Sequence, residues 1–417
     1  MKTLTKTKII QQVKFAPTLA ALFLLTLVSV AAQKATMPKV RIAFQETTLK
    51  NGLRVITVED HTAPVVSQVL IYDVGSTNER EGRTGFAHLF EHMMFKGTEN
   101  VKSMSEYLRL IMSSGGVIDA TTGTDMTSYF ETVPSNQLEL PLFLESDRLR
   151  GLTITQAALD TERKVVQEEK RMRIDNQPYA NSNRVLNELL YNNFANKHDV
   201  IGSMDDLNAA SVADVSEFFK TYYAPNNAVL VLVGDFKTAE ALAKVRKYFE
   251  DIPRQPEPKL VDLTEPEQKA ERRAMLEDAL AQLPRVNIAF KAAQGNTSDF
   301  YALQMLASVL ASGQSSRLYQ AMVKESEIVS NVNSLWAHGA GRAHSIFRRR
   351  FVPARRLRRS RRQSTRKSSD CKNSRLPTRN FRKPKTLSRS ASIQIFKDRC
   401  HAGLVSDSLQ SFMTTRI

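Results

Sequence analysis

Strand-like and helix-like patterns alternate along the first 250 residues, and this alternation limits the folds that the chain can adopt. Strands are predicted at 41–49, 53–58, 65–75, 117–123, 126–133 and 226–236, and helices at 84–95, 104–113, 136–149, 155–172, 182–191, 212–222 and 238–249. Asn51-Gly52 between the first two strands is a strong hairpin signal. The pattern predicts a mixed α/β domain of roughly 200 residues, which we place at 40–252.

A second, shorter unit follows the first. Residues 253–269 are rich in proline and polar side chains, and are predicted to form a linker. Beyond them, a strand at 285–292 and helices at 297–311 and 315–324 open another α/β unit. We assign residues 270–342 to this unit, which is incomplete.

Residues 343–417 differ in composition from everything before them. They hold 21 Lys and Arg against three acids, so the rest of the chain carries a net charge of −2 although the total is +16. A disordered basic arm that binds polyanions is one interpretation. The other is a segment translated out of frame. The composition changes abruptly inside a folding unit, and this favours the second interpretation, a segment translated out of frame. We therefore expect no nucleic-acid partner.

The N-terminus resembles a targeting segment. A lysine-bearing stretch precedes an apolar run at 15–32, where Val30 and Ala32 suit a signal peptidase. The run is slightly shorter than the roughly 20 residues of a membrane span, which is the alternative interpretation. We therefore predict a signal peptide at 1–32 and an exported protein, periplasmic or secreted, with no stable membrane span after cleavage. Both cysteines lie in the basic tail, and a cysteine-free body suits an oxidising compartment.

Two histidines in the predicted helix 84–95 suggest a metal site. His88 and His92 are four residues apart, so both imidazoles project from one face and can share an ion. Glu91 lies beside that face, where it can reach a metal-bound water without being a ligand. Two imidazoles with a distant carboxylate are a set of catalytic zinc ligands that leaves the fourth position for water. The alternative is that both histidines are buried in a core, where their hydrogen bonds are satisfied and they bind no metal.

The helix 155–172 offers the distant carboxylate. Glu162 and Glu169 are seven residues apart and share a face, whereas Glu168 is rotated by about 100°. We assign Glu169 as the third ligand and Glu162 as a carboxylate that orients a ligand. The alternative is a charged, solvated helix face.

Together these segments resemble a known family. The run VGSTNEREGRTGFAHLFEHMMFKGT at 74–98, followed by ERKVVQEE at 162–169, is similar to the pitrilysin/insulinase zinc metallopeptidases, the inverzincins. The resemblance implies that His88, His92 and Glu169 bind zinc, that Glu91 is the general base and that Glu162 is a supporting acid. It also implies an α+β clamshell of repeated α/β lobes with mostly antiparallel sheets, of which only one carries zinc.

The segment 115–121 resembles the edge strand to which the family's substrates add as a further strand. Asp119 and Ala120 are the predicted substrate-binding residues. The family has asparagine where Asp119 stands, and a carboxylate lacks the amide's hydrogen-bond donor and would repel a developing oxyanion. The alternative is that Asp119 is an ordinary surface residue.

The predicted function is zinc-dependent hydrolysis of peptides or unfolded polypeptide segments. Glu91 would take the proton of the zinc-activated water and return it to the leaving amine. Many family members supply an Arg and a Tyr from the opposing lobe, but Lys324 and Ser330 stand at those places here. A homologous partner subunit would then supply them, or the chain is a poorer catalyst. The alternative function is a catalytically incompetent lobe that binds a peptide or partner.

Overall fold

The computed structural model describes residues 42–338 and 343–351, and the side chains of residues 42–335. The predicted signal peptide and the basic tail beyond Phe351 lie outside these ranges. Among the described residues, no helix is long and apolar enough to cross a bilayer.

Strands and helices follow the order that the sequence patterns predict. The strands are β1 (Gln45–Thr48), β2 (Arg54–Glu59), β3 (Val65–Tyr72), β4 (Val117–Thr122), β5 (Thr127–Pro134), β6 (Ala228–Gly234), β7 (Arg285–Lys291), β8 (Val329–His338) and β9 (Ala343–Phe351). The helices are α1 (Phe86–Met93), α2 (Met104–Ser113), α3 (Glu139–Arg150), α4 (Gln156–Lys170), α5 (Asn181–Leu190), α6 (Phe194–Lys197), α7 (Met204–Ala209), α8 (Val212–Tyr222), α9 (Thr238–Phe249), α10 (Ser298–Ala311) and α11 (Arg317–Tyr319). The periodicity of the sequence did not predict the short helices α6 and α7 or the strands β8 and β9.

The first sheet is mostly antiparallel. Its order is β1-β2-β6-β3-β5-β4, and β2 with β6 is its parallel pair. Buried and less buried side chains alternate along β3 and β5, because one face of the sheet packs on helices. The mixed helix and strand content with mostly antiparallel sheets confirms the predicted α+β class.

Helix α1 packs against the sheet, α4 and α8. The ring of Phe90 lies 4.3 Å from that of Tyr223 and 5.7 Å from that of Phe218, centre to centre. Phe90, Leu89 and Met93 are buried, so the apolar side of α1 is fixed in the core. The opposite side of α1 therefore presents its polar residues in a constant orientation.

Strand β4 forms one edge of the sheet, since it pairs only with β5 among the described residues. Helix α2 ends at Ser113, and Gly115, two residues further on, has a φ of 81° in the left-handed region that favours glycine. At Gly116 a Cβ atom would lie 2.7 Å from the Val133 side chain. The two glycines therefore allow the chain to turn sharply from α2 into the edge strand.

A charged cluster is buried behind this edge. Arg148 of α3, whose side chain is 2% exposed, hydrogen-bonds Glu145 and lies 3.9 Å from the carboxylate of Glu131 on β5. Its guanidinium lies 4.6 to 5.0 Å from the ring centres of Phe95, Tyr107 and Tyr129. Burial, and then the nearby Glu145, raise the pKa of Glu131 well above its ordinary value. Of the two carboxyls beside Arg148, that of Glu131 is therefore the one that tends to keep its proton.

Residues 253–284 contain no helix or strand, so the irregular segment is longer than the predicted linker. It is nevertheless held at defined points. The carboxylate of Glu265 accepts hydrogen bonds from the backbone N–H groups of Asn192 and Asn193 at 3.0 and 3.1 Å, and lies 3.3 Å from Nζ of Lys291. These contacts join the segment to both the first unit and β7.

The second sheet has the order β7-β9-β8 and is antiparallel. Strand β9 occupies residues 343–351, so the sheet continues for nine residues past the predicted start of the basic tail. The physical reason is that β9 pairs on both sides through backbone groups, which every residue type except proline supplies. A change in composition therefore did not mark the end of regular structure.

Candidate metal centre

Three side chains from two helices converge at the open face of α1. Nε2 of His88 lies 3.6 Å, and Nε2 of His92 3.4 Å, from Oε2 of Glu169 on α4. The ligand atoms of these three residues all lie within 4.8 Å of one another, and the three residues are half-buried. A tetrahedral zinc ion with bonds of about 2.0–2.1 Å separates its ligand atoms by about 3.3 Å. The donor set and its spacing therefore fit zinc.

The protonation state of His88 suits a ligand. Burial, and then the neighbouring His92, lower the pKa of His88 to about 4. The imidazole is therefore neutral near pH 7 and has a nitrogen lone pair available for a cation. Its Nδ1 is buried without a hydrogen-bond partner among the residues that the structure describes, so none of these residues fixes its tautomer.

Glu162 lies directly behind His92. Its Oε2 is 3.2 Å from Nδ1 of His92, and its Oε1 is 2.7 Å from Nζ of Lys96. Burial raises the pKa of Glu162, but the hydrogen bonds from His92 and Lys96 outweigh this and keep it below its ordinary value. The ionised carboxylate can hold a proton on Nδ1 of His92, which directs Nε2 of that ring toward Glu169.

Glu91 lies between α1 and the edge strand. Its carboxylate accepts a hydrogen bond from the hydroxyl of Thr122 on β4. Burial raises the pKa of Glu91 above its ordinary value, and the negative charges of Glu169 and Asp119 add to the effect. A carboxyl in this position can accept and release a proton closer to neutral pH than an exposed one.

The predicted substrate residues lie on the neighbouring strand. Asp119 is exposed on β4, and its Oδ1 accepts a hydrogen bond from the N–H of Ala120 at 2.9 Å. Ala120 packs against the hydrophobic core. Lys324 and Ser330 are exposed, on a π-helix (Gln320–Glu325) and on β8 of the second unit.

Sequence reasoning missed several groups around the site. Arg173, on a π-helix (Arg171–Asp175) that continues α4, lies 2.6 Å from Oε1 of Glu169. Thr122 and Lys96 were also missed. Lys96 lies just past the end of α1 at Met93, so helical spacing does not describe its position. Thr122 gave no signal either, because its contact depends on how β4 meets α1.

The start of α1 is held from outside the helix. The carboxylate of Glu79 accepts hydrogen bonds from the N–H groups of Gly85 at 2.9 Å and Ala87 at 2.8 Å. Nε2 of His198 lies 3.0 Å from the same carboxylate. A Cβ atom on Gly202 would lie 2.4 Å from the Thr84 carbonyl oxygen, so glycine permits this loop to touch the helix start. We call Glu79 and His198 the helix clasp.

The chain resembles peptidases over most of its described length. A family profile described as Insulinase (Peptidase family M16) matches residues 54–203, and one described as Peptidase M16 inactive domain matches residues 209–346. The zinc protease PqqE of Helicobacter pylori is 31% identical over 327 residues, which are 76% of this chain and 71% of that protein. The probable zinc protease PqqL of Escherichia coli is 30% identical over 49% of this chain and 23% of its own length.

Solved structures show the same fold. A protease from Helicobacter pylori superposes with a TM-score of 0.79 at 27% identity, covering 89% of this chain and 92% of that one. The first half of the periplasmic protease PqqL from Escherichia coli superposes with a TM-score of 0.69 at 20% identity, covering 90% of this chain and 83% of that one. At 20% identity, the likeness to the PqqL structure shows a shared fold and no more.

Proposed function

The chain belongs to the pitrilysin/insulinase family, peptidase family M16, and we propose that it is a zinc-dependent metalloendopeptidase. The observation that carries the proposal is the convergence of His88, His92 and Glu169 at distances that suit one tetrahedral ion. The names of its relatives, zinc proteases, support the choice of metal.

In this proposal His88, His92 and Glu169 hold the zinc ion. Zinc held there would lower the pKa of a water molecule and would polarise a peptide carbonyl. Glu91 accepts the water proton at its carboxylate and passes it to the leaving amine, and the Thr122 hydroxyl fixes that carboxylate. Glu162 keeps the ring of His92 in orientation.

The substrate is proposed to be an extended peptide or unfolded segment that pairs with the free edge of β4. Backbone pairing makes little demand on sequence, whereas the charge of Asp119 disfavours a developing oxyanion nearby. A homologous partner subunit would supply donors for the oxyanion, or the chain is a poorer catalyst. Export remains part of the proposal, and rests on the predicted signal peptide at 1–32.

The experiment compares wild type with Glu91→Gln. Zinc content is measured after dialysis, and cleavage is followed with quenched fluorescent peptides. Both proteins should bind one equivalent of zinc, while Glu91→Gln should lose about 10²- to 10⁴-fold in rate, the usual contribution of a general base. Glu168→Gln is the matched control, because Glu168 is exposed beside Glu169 and pairs with Arg171, and it should keep full activity.

Two outcomes would refute the proposal. A wild type that takes up no zinc would contradict the metal centre. A wild type that binds zinc but cleaves no peptide in a manner dependent on Glu91 would favour the rival function, a lobe that binds peptides without cleaving them.

A further inference from the structure

The first turn of α1 is joined to a distant loop through the helix clasp. Ala87 belongs to the first turn, where backbone N–H groups have no partner within the helix. The Glu79 carboxylate accepts from it at 2.8 Å and from Gly85 at 2.9 Å, and its negative charge lies at the positive end of the helix. Glu79 therefore acts as a remote cap immediately before the first metal-binding histidine.

His198 fixes this cap and is itself almost fully enclosed. The side chains of His198 and Glu79 are 9% and 0% exposed. Nε2 of His198 faces the Glu79 carboxylate at 3.0 Å, while Nδ1 faces the Phe194 carbonyl oxygen at 2.8 Å. The Phe194 carbonyl is an acceptor only, and the Glu79 carboxyl, whose pKa burial raises, is an acceptor only when it is ionised; in that state both ring nitrogens must donate. Only the imidazolium can do so.

We propose that His198, as an imidazolium, is a positioning residue that holds Glu79 on the first turn of α1 and thereby orients the imidazoles of His88 and His92. The proposal rests on the proposed function insofar as the oriented groups bind zinc. It goes beyond that function because it assigns control of the metal centre to a residue more than 100 positions away in the chain.

The surrounding loop supports a role in orientation. Asp206 accepts a hydrogen bond from the N–H of Thr84 at 2.9 Å, and the N–H of Ser203 donates to the Thr84 hydroxyl at 3.0 Å. The helix start is thus held at two points by residues 198–206. Release of one point would let α1 rotate or fray at the turn that carries His88.

The charge environment favours the imidazolium. Burial lowers the pKa of His198, but the hydrogen bond and charge of Glu79 outweigh it and hold the pKa above its ordinary value. The ring of Phe194 stacks on the imidazole at 4.5 Å. Glu79 is the charged group that faces the ring. Lys197 and Asp199 flank His198 in the chain, and Asp199 accepts from Asn187 of α5.

The sign of the pH dependence follows from the raised pKa. With Glu79 ionised, the charged pair contributes fully below the ordinary histidine pKa of about 6.5, and its contribution is lost as the pH rises through the raised value of His198. Protonation of Glu79, whose pKa burial also raises, ends the contribution on the acid side. Zinc affinity of the wild type should therefore fall above the pKa of His198. Because a glutamine side chain carries no titrating proton, His198→Gln should lack this fall.

The first measurement is zinc affinity by chelator competition for wild type, His198→Gln and His198→Leu, at a temperature where circular dichroism shows all three folded. Loss of a group that orients ligands typically costs about 10- to 100-fold in metal affinity, and we expect His198→Leu to lie in that range. His198→Gln, which keeps one donor toward Glu79, should lose less. His61→Leu is the control, since His61 is exposed and pairs with Asp235, and its affinity should be unchanged.

The second measurement needs no metal. NMR of the zinc-free protein should give a His198 pKa above the ordinary histidine value of about 6.5. The amides of Gly85 and Ala87 should exchange faster in His198→Leu than in wild type or His61→Leu, because the carboxylate that accepts from them is no longer fixed.

A folded His198→Leu with zinc affinity close to that of wild type would overturn the proposal, as would a His198 pKa at or below the ordinary value. If the wild type bound no zinc, the proposed function would fail, and the amide exchange alone would decide the positioning role: faster exchange would support it and unchanged exchange would refute it.

Discussion

Replacement of Arg148 by Met should be among the most destabilising single changes in the first unit. The guanidinium is the cation that faces two buried carboxyls, those of Glu131 and Glu145, and removing it leaves the Glu145 carboxylate in the core without its charge partner. Removing one member of a buried ion pair typically costs about 3–5 kcal/mol. In a large domain, where 1 kcal/mol shifts the Tm by about 2–4 °C, this corresponds to a drop of about 6–20 °C.

The free energy of unfolding would be measured by urea denaturation with circular dichroism, alongside Arg150→Met. Arg150 lies on the same helix but pairs with the exposed Asp251, so its loss should cost about 0–1 kcal/mol. The double variant Arg148→Met with Glu145→Leu should recover part of the loss, since it removes the uncompensated carboxylate. If Arg148→Met lowered the free energy of unfolding by no more than Arg150→Met does, the reasoning would be refuted, because it requires the buried carboxylate of Glu145 to need its arginine partner.

Three other substitutions test the site and the core. Glu162→Gln should weaken zinc binding by about 10- to 100-fold in chelator competition, because the amide no longer holds the ring of His92; an unchanged affinity would contradict the role. Asn51→Ala should cost about 1–3 kcal/mol in urea, since the Asn51 amide donates to two buried carbonyls. Asp119→Asn should move the acidic limb of the kcat/KM profile to lower pH, because one of the charges that raise the pKa of Glu91 is removed; an unmoved limb would show that this charge does not matter.

The local part of the site could be predicted from the sequence. His88, Glu91 and His92 lie within two helical turns, where the spacing of residues alone determines which side chains share a face. Glu169 and Glu162 were assigned by the same rule on one further helix, and the structure brings that face against α1. Short-range periodicity therefore identified the three side chains, His88, His92 and Glu169, that the structure brings together.

The remainder depended on contacts between elements that no periodicity describes. The partner of Glu79 is 119 residues away, so nothing near either residue indicates the helix clasp. Arg148 lies in a correctly predicted helix, yet its burial depends on Glu131 in a strand. The second sheet extended into a basic segment because backbone hydrogen bonding, and not side-chain composition, holds β9 between its neighbours.

The place of β6 in the first sheet has a consequence for the time course of folding. It pairs with both β2 and β3, but about 155 residues separate the end of β3 at Tyr72 from the start of β6 at Ala228. At a synthesis rate of roughly 5–20 residues per second, about 8–30 s pass between the appearance of these strands. During that interval the inner edges of β2 and β3 lack their shared neighbour, so we expect the nascent chain to aggregate more readily before Gly234 is made than after it.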